Sequence, residues 1–186
     1  MDETPEAEKD TRTIEAIAYH EAGHAVLTWQ WKLAPAWVAI KPLPDGCDEA
    51  IRFAFNSEDL GLFRLAGEFD PEQAKRTWFA RVLLSYAGMN AEAKYMGPEG
   101  APLPLDDQIQ VHRNLAMSGQ DDPNLIDLAC RKLTGLFVKE HWAEIQAIAA
   151  ALVERRCLDA GEIQGILEEI QRRSMRERMG KSQPGA

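Results

Sequence analysis

Two histidines stand four residues apart around a glutamate in the run Ala18-Tyr19-His20-Glu21-Ala22-Gly23-His24-Ala25-Val26. In a helix, positions i and i+4 share a face one turn apart, so the His20 and His24 imidazoles can reach one metal ion. Glu21 falls about a quarter-turn away, beside such an ion rather than on it. A carboxylate there can hold a metal-bound water and take its proton. Neutral imidazole suits zinc, which pulls the pKa of its bound water down toward ~7. The chemistry this arrangement serves is attack of that water on an amide carbonyl. Iron, manganese or cobalt can occupy similar ligands.

The competing reading is a solvated pair of histidines on a surface helix. The neighbours argue against it, because "IEAIAY" and "AVLTW" surround the motif with apolar residues and predict a buried helix. Buried imidazoles and a buried carboxylate cost free energy unless they are paired or bound to a metal. Gly23 points the same way, since glycine inside a helix costs ~1 kcal/mol relative to alanine. A backbone neighbour close to the site, such as an edge strand that binds substrate, would account for it.

Two histidines do not complete a catalytic zinc site, and a third protein ligand is expected. Glu92, Asp106, Asp107, His112 and His141 are the candidates. The spacing HExxHxxGxxH, which would add a third histidine, is absent; Trp29 and Gln30 hold its last positions. Asp106-Asp107 follow a proline-rich loop and open a helix. Such a junction can present a carboxylate inward, although an aspartate at a helix start is usually a cap.

Helices must hold these groups. The first is predicted from about Ile14 to Trp31, with Thr13 as its cap and Glu15 in its first turn. "WVAIKPLP" and "EAIRFAF", separated by the turn signal "DGCD", predict a hairpin or two or three short strands. A long helix follows, capped by Asp70, with Pro71 in its first turn and Gly97-Pro98 as its stop. Further helices are expected from Asp106 or Asp107 to about Met117, and from Asp122-Pro123 toward His141. Two more cover about 140–156 and, after an Asp159 cap, 159–173. The fold class is mainly α (α+β), a helical zincin-like domain with a small sheet or hairpin after the HExxH helix. Residues 1–12 read as a disordered lead, 13–173 as one domain and 174–186 as a flexible tail. The tryptophans and Phe79 are assigned to core in preference to interface.

Composition bounds the function. The chain has 186 residues, 45% of them hydrophobic, enough for one domain with its own core. A formal net charge of −9 leaves no basic stripe to meet phosphates and argues against a general nucleic-acid binder. Cys47, Cys130 and Cys157 are odd in number and far apart, so neither a disulfide framework nor a thiolate zinc site is expected. The acidic start "MDETPEAEKDTRT" does not read as a signal peptide, and no apolar run approaches the ~20 residues that span a bilayer. A cytoplasmic protein without direct membrane insertion is expected. Arginines in "VERR" and "QRRSMRERMGK" read as a solvated helix face, with docking of an acidic partner as the alternative.

"AYHEAGHAV" resembles the zinc motif of the FtsH-type metallopeptidase domain. "VAIKPLP" and "AIRFAF" are similar to that family's strand region, and "LLSYAGMNAEAKYMG" to its helix ending in Gly-x-x-Ala-Glu. "LPLDDQIQVHRNLA" stands where the family carries its third-ligand aspartate, and "HWAEIQAIAAALVERRCLDAGEIQGIL" matches the rhythm of its closing helices. The likeness spans about residues 14–170. It implies zinc held by His20, His24 and Asp107, with Asp106 one residue out of place and Glu92 as second choice. Glu21 is then the general base. Where the family has Gly-Gly-Arg, this chain has Ala87-Gly88-Met89, and it carries neither the family's transmembrane segment nor its ATPase module.

The resemblance implies a stand-alone zinc metalloendopeptidase acting on flexible or unfolded polypeptides, with an edge strand near residues 50–55 aligning the substrate. A homo-oligomer or a separate unfoldase partner is compatible with it. The alternative is a non-catalytic adaptor that keeps the fold. A third reading is a regulatory protease with one dedicated substrate.

Overall fold

The computed structural model describes residues 12–33, 35–47, 61–65, 78–97, 105–119 and 121–181. Its elements run α1 (Ile14–Gln30), β1 (Pro35–Ile40), β2 (Gly61–Leu65), α2 (Trp78–Met96), α3 (Leu105–Met117), α4 (Pro123–Glu140), α5 (Trp142–Arg155), β3 (Cys157–Asp159) and α6 (Ala160–Lys181). The fold is mainly helical with one small sheet, as expected.

Local chemistry sets the helix starts. The Thr13 side chain accepts from the Ala16 N–H at 3.1 Å and opens α1. Asp122 does the same for Leu125, with Pro123 in the first turn of α4. Asp159 and Glu162 form a reciprocal capping box at the start of α6. Gly97 ends α2 with a φ of +81°, a conformation glycine adopts without a Cβ clash.

α1 is buried almost all round, so it sits in the middle of the molecule rather than on its surface. It packs on α2 along one side and on α5 along another, with β1 beneath. One apolar cluster joins α1 to β1, α5 and α6 through Val26, Val38, Ile148, Leu152 and Leu167. A second joins α2, α3 and α4 through Val82, Met89, Val111 and Cys130. Each fully buried leucine or isoleucine contributes about 2 kcal/mol of apolar burial, so these clusters hold the helices in fixed register.

β1 is the central strand, antiparallel to β2 on one side and β3 on the other. Val38 opposes Phe63 and Leu158, and Ala39 opposes Leu62 and Cys157. The expected strand at 49–55 lies outside the described residues, as do the Asp70 cap and Pro71. β2 and β3 were not anticipated.

Three expectations are corrected. The segment from 174 to 181, expected as part of a flexible tail, continues α6 to Lys181. No glycine or proline interrupts it before Gly180, and Arg173 bonds back to Glu169 one turn away. Residues 182–186 lie outside the described residues, as do 1–11 of the expected lead. Trp31 and Phe79 are 41% and 40% exposed, not core. The backbone that crosses Gly23 is a helix rather than a strand: a Cβ on Gly23 would lie 2.4 Å from the Ala87 carbonyl oxygen of α2. No helix among the described residues is long and apolar enough to cross a membrane.

Candidate metal centre

The close α1–α2 crossing puts the histidines of α1 against α2, and the first turn of α3 reaches in from the side. His20, Glu21 and His24 are all less than one-tenth exposed. His20 Nε2 and His24 Nε2 lie 3.0 Å apart. Asp107 Oδ2 is 2.7 Å from His20 Nε2 and 3.9 Å from His24 Nε2. Among the described residues these three side chains form the group whose donor atoms converge closely enough to hold a metal ion.

The far side of each ring explains why the near side needs a cation. His24 Nδ1 donates to the Leu84 carbonyl oxygen at 2.9 Å, and a carbonyl can only accept. His20 Nδ1 donates to Glu92 Oε2, also at 2.9 Å. With both Nδ1 hydrogens engaged, both Nε2 atoms turn lone pairs toward each other and toward a carboxylate oxygen. Three acceptors facing one another are tolerable only with a proton or a metal ion among them. Two imidazole nitrogens and a carboxylate oxygen are a donor set zinc accepts, so the residues fit that ion.

The surrounding charge has the same sense. Glu21, Glu92 and Asp107 gather around the rings, and Arg12 Nη1, 3.4 Å from Glu92 Oε2, is the cation set against them. With neutral imidazoles, three carboxylates against one guanidinium leave two negative charges, which a divalent ion would cancel. In the metal-free chain a proton takes that place. Burial works against a charged His20, but its hydrogen bonds to Asp107 and Glu92 outweigh burial and raise its pKa to about 10. His24 is pushed down to about 4 by burial and by the neighbouring His20. Burial lifts Glu21 to about 7, against the opposing pull of His20. Asp107 is also desolvated, yet the His20 hydrogen bond and the histidine charges hold it below the usual carboxylate range.

Of the four third-ligand candidates whose side chains are described, Asp107 alone joins the two histidines. Glu92 stands behind His20 on the Nδ1 side, so it orients a ring rather than sharing the donor cluster. His112 is on the surface, bonded to the Gln108 carbonyl. His141 contacts Gln30 and Glu144. The side chain of Asp106 lies outside the described residues.

Sequence reasoning missed what α2 contributes besides Glu92. The Leu84 carbonyl meets His24, and the buried Ser85 is the least of the influences that lower the Asp107 pKa. Gly88 leaves room: a Cβ there would lie 2.6 Å from His24 Nε2 and 2.8 Å from His20 Nε2. Positions 85, 88 and 92 fall at i, i+3 and i+7, one face of a helix. That small-polar stripe was the available signal.

Fold and donor set together define a mainly helical domain with a buried His-His-carboxylate cluster suited to a divalent ion. No family profile matches the chain. In an alignment 204 positions long that covers 93% of this chain, it is 23% identical to the ATP-dependent zinc metalloprotease FtsH of Marinobacter nauticus. The chain covers 32% of that protein's length. The likeness is distant, and it agrees in kind with the cluster: the relative is named for zinc, and the residues here could hold that ion.

Proposed function

We propose that the chain is an FtsH-like zinc metalloendopeptidase unit, with His20, His24 and Asp107 as ligands and Glu21 as general base. The observation that carries this reading is the meeting of two imidazole lone pairs and a carboxylate oxygen in a buried site. Zinc bound there would supply a Lewis acid that polarises a peptide carbonyl and acidifies a water. The chain's own residues do the rest. Glu92 and the Leu84 carbonyl hold the two rings in the tautomer that offers Nε2. Glu21, next in sequence to a ligand but outside the donor cluster, takes a proton from water and returns it to the leaving amine nitrogen. A carboxylate lifted to about 7 in the metal-free chain is a competent proton carrier near neutral pH. A buried site of this kind suits flexible or unfolded polypeptide segments, delivered by diffusion or by a separate unfoldase.

The test is metal analysis of the purified chain, followed by cleavage of an unfolded polypeptide by wild type and Glu21→Gln. Stoichiometric zinc in both, with cleavage lowered at least ~100-fold in Glu21→Gln, is the expected result. Zinc without Glu21-dependent cleavage of any unfolded chain would favour an adaptor module that keeps the ion for structure. Absence of bound metal in wild type would remove the reading altogether.

A further inference from the structure

Arg12 stands just before the Thr13 cap, outside α1, yet its side chain reaches the edge of the metal centre. Its Nη1 donates to Glu92 Oε2 at 3.4 Å, and the same oxygen takes the His20 Nδ1 hydrogen at 2.9 Å. This arginine differs from those paired with carboxylates elsewhere. Arg131, Arg155, Arg172 and Arg173 keep about half or more of their side chains in water. The Arg12 side chain is 17% exposed and meets a carboxylate that is 5% exposed. Drawing a guanidinium out of water costs solvation and fixes a long, flexible side chain. A solvated ion pair would not offset that cost. A carboxylate that water hardly reaches can.

Resting on the metal-centre reading above, we infer that Arg12 is a positioning residue acting through Glu92: the guanidinium fixes the carboxylate oxygen that receives the His20 Nδ1 hydrogen, and so aims the His20 Nε2 lone pair. His24 needs no such help, because its Nδ1 partner is the backbone carbonyl of Leu84, held by α2 itself. His20 depends instead on a side chain with three rotatable bonds. Among the described residues the second Glu92 oxygen is buried without a hydrogen-bond partner, so the carboxylate is steadied at Oε2. The Arg12 contact runs through one nitrogen rather than a two-pronged fork, so a lysine ammonium can stand in for it. Methionine keeps the apolar stem and removes the charge.

The experiment uses the zinc-loaded chain as wild type, Arg12→Met and Arg12→Lys, and Arg12→Met again in a Glu92→Gln background. Nuclear magnetic resonance reads solvent exchange of the His20 and His24 Nδ1 hydrogens, and chelator competition reads zinc affinity. In Arg12→Met the His20 hydrogen should exchange faster while the His24 hydrogen stays as in wild type. Zinc should bind about fivefold more weakly, a coupling of ordinary size for groups in one network. Arg12→Lys should recover both readings, and Arg12→Met should cost nothing further once Glu92 is glutamine. His20 exchange equal to wild type in Arg12→Met would overturn the inference, as would equal acceleration at both histidines, which marks general loosening. Tighter zinc binding in Arg12→Met would also overturn it, because a cation that acted by charge alone would simply repel the ion. So would an undiminished loss in the Glu92→Gln background, since the arginine would then not act through Glu92. These outcomes leave the metal centre standing, whereas wild type without bound zinc would remove that centre and this inference together.

Discussion

Glu92 and Glu169 each pair with two cationic groups, yet they stand at opposite extremes of energetic weight. Glu169 has the better geometry: Oε2 is 2.8 Å from Arg172 Nη1 and Oε1 is 2.8 Å from Arg173 Nε. Glu92 uses one oxygen for both partners, His20 Nδ1 at 2.9 Å and Arg12 Nη1 at 3.4 Å. Among the described residues its other oxygen is buried without a hydrogen-bond partner. By distance alone Glu169 would be ranked first. The difference is what happens when a partner is lost. Water replaces a contact at Glu169, whose side chain is 38% exposed, and cannot at Glu92, whose side chain is 5% exposed. A contact matters here in proportion to how poorly solvent can substitute for it.

The largest effect is expected where nothing can substitute at all. Gly88 occupies the face of α2 against the two Nε2 atoms, and the Cβ of Gly88→Ala would lie within 2.8 Å of both. Either the rings turn away or the helices part. Loss of stoichiometric zinc is expected, read by metal analysis after gel filtration. A Gly88→Ala protein that holds zinc with wild-type affinity would mean the ion sits elsewhere.

Next is the competition between proton and metal. In the metal-free chain His20 carries its second proton up to about pH 10, whereas His24, lowered to about 4, carries none at neutral pH. Metal binding must expel the His20 proton. Affinity for zinc therefore rises with pH, by about tenfold per unit between pH 7 and 9. Below 7 the slope should steepen, because Glu21, raised to about 7, is protonated there and its proton also opposes the cation. Chelator competition across pH 6 to 9 measures this. A pH-independent affinity would show that the acceptors facing one another are not the binding site.

How much of this was legible beforehand follows the same division between local and non-local. The caps at Thr13, Asp122 and Asp159 were readable because a cap is chemistry between residues three apart. The His20–His24 pair was readable for the same reason. β3 was not: Cys157–Asp159 is three residues without alternation, and only its pairing with β1 makes it a strand. Nor could Asp107 be chosen from five acidic and histidine candidates by spacing, since its place depends on how α3 enters beside α1. Gly23 was recognised as needing a close backbone, but which element supplied it was a question of packing. The Leu84 carbonyl leaves no mark in a sequence, because every residue carries one.

The comparison itself can be broken by one conservative change made twice. Glu92→Gln keeps an acceptor for His20 Nδ1 and removes the charge that makes the ring a strong donor toward a metal. Zinc affinity should fall about tenfold, the cost usually seen when such a carboxylate is lost. Glu169→Gln removes the same charge from a site with shorter contacts, and should leave zinc affinity and the melting temperature of the metal-free protein unchanged within error. Arg172 and Arg173 are themselves exposed, so each regains water where it loses Glu169. Equal effects at the two positions would mean that solvent replacement does not set the weight of a charge in this fold. A larger effect at Glu169 would mean that the middle of α6 reports on the metal centre through packing, a coupling the burial pattern of that helix does not suggest.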